Sequence, residues 1–136
     1  MSDLNRPPRP VYRNININQI VGYRLPLSGI ISILHRVSGA LLFLALPYLL
    51  SLLDKSLTSE KSFDLFKGVV SHWYVKLVLL VLLWSYLHHF CAGIRHLAMD
   101  MHVGVDKDSG RQTAAAVFVV SLLLWLAIGL KMIGAF

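Results

Sequence analysis

The sequence predicts an all-α integral membrane protein with three transmembrane helices, and three observations support that class. Hydrophobic residues make up 56% of the chain and charged residues 15%, a balance too apolar for a soluble domain of 136 residues. The mean hydropathy, +0.63, agrees. Three apolar runs reach the roughly 20 residues that a helix needs to cross a hydrocarbon core of about 30 Å. Basic residues flank those runs instead of lining one solvated face, so the pI near 9.8 and the formal charge of +6 do not point to nucleic acid as a partner.

Residues 1–26 read as a polar arm carrying RPPRP. No short apolar core with a small-residue cleavage site follows it, so it is expected to stay attached. Residues 27–136 form the three-helix anchor domain. The first span is placed at residues 27–53. Pro47 falls inside it and, having no N–H, leaves the carbonyl of Phe43 without its helical partner. Membrane helices tolerate this as a kink. The segment DKSLTSEKSFDLFKG alternates charges and predicts a short amphipathic interfacial turn. The second span is placed at 73–99 and the third at 113–133, with HVGVDKDSGRQ as a compact polar loop between them. The single cysteine, Cys91, lies in an apolar run and has no intrachain disulfide partner.

Charge sets the expected orientation. All seven arginines and Lys107, eight basic residues, fall on the side shared by the arm and the second loop. Five lysines, Lys55, Lys61, Lys67, Lys76 and Lys131, fall on the other. The positive-inside rule puts the N-terminus and the second loop in the cytoplasm. The retained arm, without transit-like character, favours a bacterial inner (plasma) membrane, with the mitochondrial inner membrane as the alternative.

The second span is unusual in its polar content. On a helical wheel Ser85, His89, Ala92, Gly93, His96 and Asp100 fall within about 60° of one line, with His88 and Arg95 roughly 100° to 120° to one side and Cys91 nearly opposite. Counting about 1.5 Å per residue puts His89 roughly 15 Å below the surface, near the bilayer midplane. Two readings stand for His89: a neutral imidazole bonded to a neighbouring helix, or a ligand beside the space that Gly93 leaves for a large flat group. His96 and Asp100 lie near the aqueous edge, either as a polar helix cap or as functional groups. In the first span Ser28, Ser32, His35, Arg36 and Gly39 share the face of one half. Arg36 either snorkels to lipid phosphate or presents its planar fork to a carboxylate or carbonyl headgroup.

SILHRVSG at residues 32–39, preceded by an RP-containing arm and followed by the HxxxGIRHLxxD pattern at residues 89–100, resembles the cytochrome b large membrane-anchor subunit of succinate dehydrogenase. The resemblance covers the arm and the first two spans; the third span matches only as a generic membrane helix. It implies half of a heterodimeric haem-binding bundle, three helices here packing with three from a second, smaller anchor subunit. It implies one shared haem b, ubiquinone as substrate, and an iron–sulfur and a flavoprotein subunit docked on the basic side. His89, four residues before the GIRH glycine, takes the place of the axial ligand, with His88 as a competitor. Ser32 and Arg36 take the place of the quinone-contacting pair, His35 and Arg36 lie near the haem propionates, and His96 and Asp100 support proton transfer or the quinone site. A six-coordinate haem needs a second ligand. The third span has no histidine and the first offers only His35, near its mouth, so that ligand is expected from another chain. A fumarate reductase anchor working in the opposite direction is the nearest alternative. A small channel or transporter subunit fits less well, because the third span has no polar face beyond Ser121 and Lys131.

Overall fold

The computed structural model describes residue 18 and residues 22–134. Most of the arm expected over residues 1–26, and residues 135–136, therefore lie outside the described residues. Four helices follow one another: α1 (Leu27–Thr58), α2 (Glu60–Ser71), α3 (Trp73–Asp100) and α4 (Lys107–Met132). Of these, α1, α3 and α4 are long and apolar enough to cross a membrane. The expected three spans are there.

Helix limits and span limits differ for physical reasons. The apolar run of α1 stops at Leu53, but backbone bonding continues through DKSLT, where the Ser56 and Thr58 hydroxyls donate to the carbonyls of Leu53 and Asp54, each at 2.7 Å. The 32 residues of α1 rise about 48 Å at 1.5 Å each, more than the hydrocarbon thickness. The helix continues without a break past Pro47. It ends at Ser59, which opens α2 with a reciprocal capping box: the Ser62 N–H donates to Ser59 Oγ at 3.2 Å and the Ser59 N–H to Ser62 Oγ at 3.0 Å. The expected interfacial turn is thus a 12-residue helix. Its Phe66, Val69 and Val70 are partly buried, while Lys67 on the exposed face pairs with Asp64 at 2.9 Å.

At the other end of the molecule, α3 stops in a Schellman motif. The Val103 N–H donates to Ala98 O at 3.0 Å and the His102 N–H to Met99 O at 2.9 Å. His102 takes the left-handed position at φ 61°, where glycine is usual, and Gly104 follows at φ 74°. Asp106 then caps α4, its carboxylate accepting from the Ser109 N–H at 3.1 Å and hydroxyl at 2.9 Å. Those bonds hold Asp106 below the usual carboxylate range. The cap starts α4 at Lys107, before the apolar run opens at Thr113.

Packing centres on α3, which lies against both α1 and α4. Where all three meet, Ile31, Ala92, Ala114 and Val117 form the buried core, with Leu27 and Cys91 packed against it. Side chains at the seams are small: Ser38, Ser85 and Ser121 are fully buried, and such residues let membrane helices approach closely. Farther along, Trp125 Nε1 donates to the Leu80 carbonyl at 2.8 Å and ties α4 to α3. The outward face of α1 is the least covered. Only 11% of its most apolar window is buried, against 22% for α3 and α4, and Phe43 and Leu44 are 75% and 74% exposed. Apolar surface of that extent belongs against lipid or other helices, not water.

Candidate functional site

Near the end where α1 begins and α3 finishes, three histidines interleave. His35 of α1 stacks on His89 of α3 at 4.2 Å between ring centroids and on His96 of α3 at 4.7 Å, with interplanar angles of 12° and 19°. Their tautomers follow from their partners. His89 Nδ1 lies 3.0 Å from the His35 carbonyl, which only accepts, so Nδ1 carries the proton and Nε2 keeps its lone pair. His96 is fixed likewise, its Nδ1 donating to the Ala92 carbonyl at 2.7 Å. The Ser38 hydroxyl also donates to the His35 carbonyl, at 2.9 Å, and lies 3.4 Å from His89 Nδ1.

Glycine makes this approach possible. A Cβ at position 39 would fall 2.8 Å from His89 Cε1, a distance real Cβ atoms do not tolerate, whereas a Cβ at position 93 would meet His35 Nε2 at an ordinary 3.7 Å. The sequence reading credited Gly93 with the space beside His89; Gly39 of the facing helix is the residue that clears it.

The single polar stripe expected on α3 is two seams. Ser85, His88, Ala92 and Arg95 are the buried polar and small residues of the helix, and they centre about 80° from His89, a little under one residue's rotation. They face α4. His88 is fully buried, stacks on Trp84 at 5.1 Å, and has Nδ1 3.5 Å from Ser121 Oγ. Its Nε2 is buried without a hydrogen-bond partner. Arg95 donates from Nε to Thr113 Oγ1 at 3.1 Å and from Nη2 to the Gly110 carbonyl at 3.2 Å, joining α3 to the first turns of α4. Because the interior lies on this side, Cys91 packs against the core instead of pointing away from it.

Beyond the histidines, the starts of α1 and α4, the end of α3 and the loop of residues 101–106 enclose a cleft of about 910 Å³. Ser28, Ser32, His96 and Arg95 line it. Arg36 and Asp100 are exposed and do not line it. Of the expected site residues, His35, His89 and His96 therefore form one cluster, and Ser32 joins His96 at the cleft. Arg36 and Asp100 stand outside.

Comparison with known proteins agrees with a membrane-spanning chain. A family model described as succinate dehydrogenase/fumarate reductase transmembrane subunit matches residues 5–128. The chain belongs to this family. Among similar proteins, the succinate dehydrogenase cytochrome b556 subunit of Coxiella burnetii is 38% identical over 112 residues, 82% of this chain and 89% of that protein. The subunit of the same name from Paracoccus denitrificans is 30% identical over 124 residues, covering 91% and 92%. That from Rickettsia felis is 32% identical over 102 residues, covering 75% and 79%.

Three contributors to the site escaped the sequence reading: Ser38 as a buried bridge between helices, Gly39 as the clearance for His89, and Arg95 as the tie to α4. A signal existed for the first two. Ser38 and Gly39 follow His35 by three and four residues, the spacing at which helix neighbours share a face. Arg95 gave none, since its partner Thr113 depends on how the second loop folds.

Proposed function

We propose that the chain is the haem b-binding membrane anchor of a succinate:quinone oxidoreductase, with His89 as one axial ligand of the iron. One observation carries the reading most directly: His89 donates its Nδ1–H to a backbone carbonyl, the arrangement that orients a metal-ligating imidazole and raises its basicity. Its Nε2 lone pair is left for iron. His88 is the weaker candidate, since it is fully buried in the bundle between Ser121 of α4 and the Ile31 backbone of α1, where no large planar group has room. The residues present therefore fit the group. His35, stacked on His89, and Arg36, one residue on, supply polar and cationic groups for its propionates. When bound, a haem b supplies a one-electron redox centre whose potential follows its axial ligands and burial. The second ligand comes from the smaller anchor subunit, so the cofactor also joins two chains, much as metal binding couples to folding.

Quinone reduction requires hydrogen-bond donors and protons at the headgroup. Ser32 presents a hydroxyl at the cleft for one carbonyl of ubiquinone, and Arg36, a turn farther along α1, supplies positive charge to the negative charge that develops there. His96, with Nδ1 already committed, offers Nε2 to the cleft as a proton-handling group. Asp100, at the exposed end of α3, supports proton entry from water. Succinate oxidation itself belongs to the flavoprotein, and an iron–sulfur subunit docked over the cleft brings the electrons. The similar proteins are succinate dehydrogenase subunits, which favours succinate oxidation over fumarate reduction as the direction.

A reduced-minus-oxidised absorption spectrum of the complex purified through a tag on this chain should carry a low-spin b-type haem band. A complex that contains the soluble subunits and lacks that band would end the haem reading. Orientation has its own test: cysteines at Ser2, Ser109 and Ala135, in a Cys91-free background, should react with an impermeant thiol reagent from the cytoplasm, the cytoplasm and the opposite side respectively. Eight basic residues against five support that order.

A further inference from the structure

We propose that the cleft also binds the phosphate of an anionic phospholipid headgroup, with Arg95 as its buried cation. Arg95 is 8% exposed, yet both acceptors it reaches, the Thr113 hydroxyl and the Gly110 carbonyl, are neutral. Among the described residues no carboxylate pairs with it; the ion pair seen is Lys67 with Asp64, on α2. A guanidinium taken out of water without an opposite charge is strongly unfavourable, and buried charges are normally paired. The side chain has five N–H donors and the structure uses two. It lines the cleft, so the remaining donors have somewhere to act.

The walls of the cleft indicate which anion. Lys107 and Arg111 add positive charge beside Arg95; of the two acids on the wall, Asp106 is committed to the Ser109 cap and Asp108 is the other, which leaves three cations against two carboxylates. Leu27, Met99 and Val105 form an apolar flank. A cationic pocket with an apolar flank, set between membrane helices where α3 ends and α4 begins, suits a phosphate attached to a glycerol and acyl chains. The planar fork of arginine matches phosphate oxygens in pairs. A haem propionate does not fit here: Arg95 lies six residues after His89, about 240° around the helix and on the α4 side. Ser32 lies on the α1 wall of the cleft, so a quinone headgroup there and a phosphate at Arg95 have separate walls. The inference does not depend on the haem or the quinone assignment.

The test uses the intact complex, purified through this chain and reconstituted into nanodiscs of phosphatidylcholine containing a minority of phosphatidylglycerol. After exchange into detergent, the phosphatidylglycerol retained per complex is counted by mass spectrometry, with the haem spectrum reporting assembly. Arg95→Gln and the double variant Lys107→Gln/Arg111→Gln should each weaken retention, by about fivefold for each cation removed. The double variant leaves both Arg95 hydrogen bonds in place, so it decides the matter alone if Arg95→Gln fails to assemble. Inorganic phosphate should not displace the lipid. Four results would overturn the proposal: unchanged retention in the assembled variants; equal retention of phosphatidylcholine and phosphatidylglycerol; displacement by inorganic phosphate, which would make the site one for a free anion; or loss of the soluble subunits with lipid content unchanged, which would assign the anion to a carboxylate of a docked partner.

Discussion

His88 and His89 are neighbours in the chain and occupy different seams of α3. His88 points into the bundle interior, where it is fully buried between Ser121 of α4 and the Ile31 backbone of α1. His89 points toward α1, stays partly exposed, and is held by the His35 carbonyl. The α4 seam is closed and tied by Arg95 and Trp125. The α1 seam is built on Ser38 and Gly39 and is partly open at His35, His89 and His96. One residue's rotation on a helix separates a position that holds the bundle together from one that can reach another molecule. What distinguishes the two imidazoles is which nitrogen is already engaged and which side has room.

The largest expected effect tests that contrast. Replacing His89 with leucine should remove the low-spin haem b band almost entirely, while a complex with His88 replaced by asparagine should keep it. The reverse outcome would transfer the ligand to the closed seam, and an unaltered band in both variants would take the haem away from α3.

Second in size are the donors that face quinone. Ser32→Ala should lower quinone reduction by the intact complex about a hundredfold, the equivalent of roughly 3 kcal/mol for one donor lost from such a site. Arg36→Ala should have a smaller effect, because Arg36 is exposed and stands outside the cleft. Succinate oxidation with an artificial acceptor that draws electrons from the soluble subunits should survive in both. Equal loss of both activities would mean failed assembly instead.

Gly39→Ala sharpens the comparison from the α1 side. The new methyl would press on the His89 ring, since a Cβ there lies 2.8 Å from Cε1. Displacing the ring lengthens its bond to the His35 carbonyl, and loss of such outer support typically costs ten- to a hundredfold in metal-site affinity. Haem content per complex should fall, and the residual band should shift. Gly93→Ala, which meets only an ordinary contact at 3.7 Å, should leave both nearly unchanged. If the two glycines behaved alike, the space beside His89 would not be what Gly39 provides.

The sequence made some of this legible and not the rest, for identifiable reasons. The number of helices long and apolar enough to cross a membrane followed from apolar length alone, because a bilayer allows few alternatives. The histidines and Ser32 were legible as polar groups in apolar runs. The division of α3 into two seams was not, because periodicity shows which residues share a face without showing how many neighbours that face meets. Helix α2 was read only as a turn: its capping box, Ser59 with Ser62, uses serine where glutamate is the usual signal. Arg36 was grouped with Ser32 by spacing, yet the cleft is bounded by loop residues whose position no helical wheel contains.

The smallest expected effect lies on the closed seam. Ser121 donates its hydroxyl proton to the Phe118 carbonyl at 3.1 Å and sits 3.5 Å from His88 Nδ1, the outer limit of a hydrogen bond. Replacing it with alanine removes the hydroxyl nearest Nδ1 of a fully buried imidazole whose Nε2 already has no hydrogen-bond partner. Hydrogen bonds between membrane helices are worth about 0.6 kcal/mol on average, and an unsatisfied buried group adds to the loss, so about 1 kcal/mol is expected for Ser121→Ala. Thermal inactivation of the complex should come slightly earlier, by a few degrees at most, while the haem band and its potential stay where they were. That second reading is the decisive one. A loss of stability without a spectral change assigns the α4 seam to packing, whereas a shifted haem potential would show that the closed seam also tunes the open one through the two adjacent histidines.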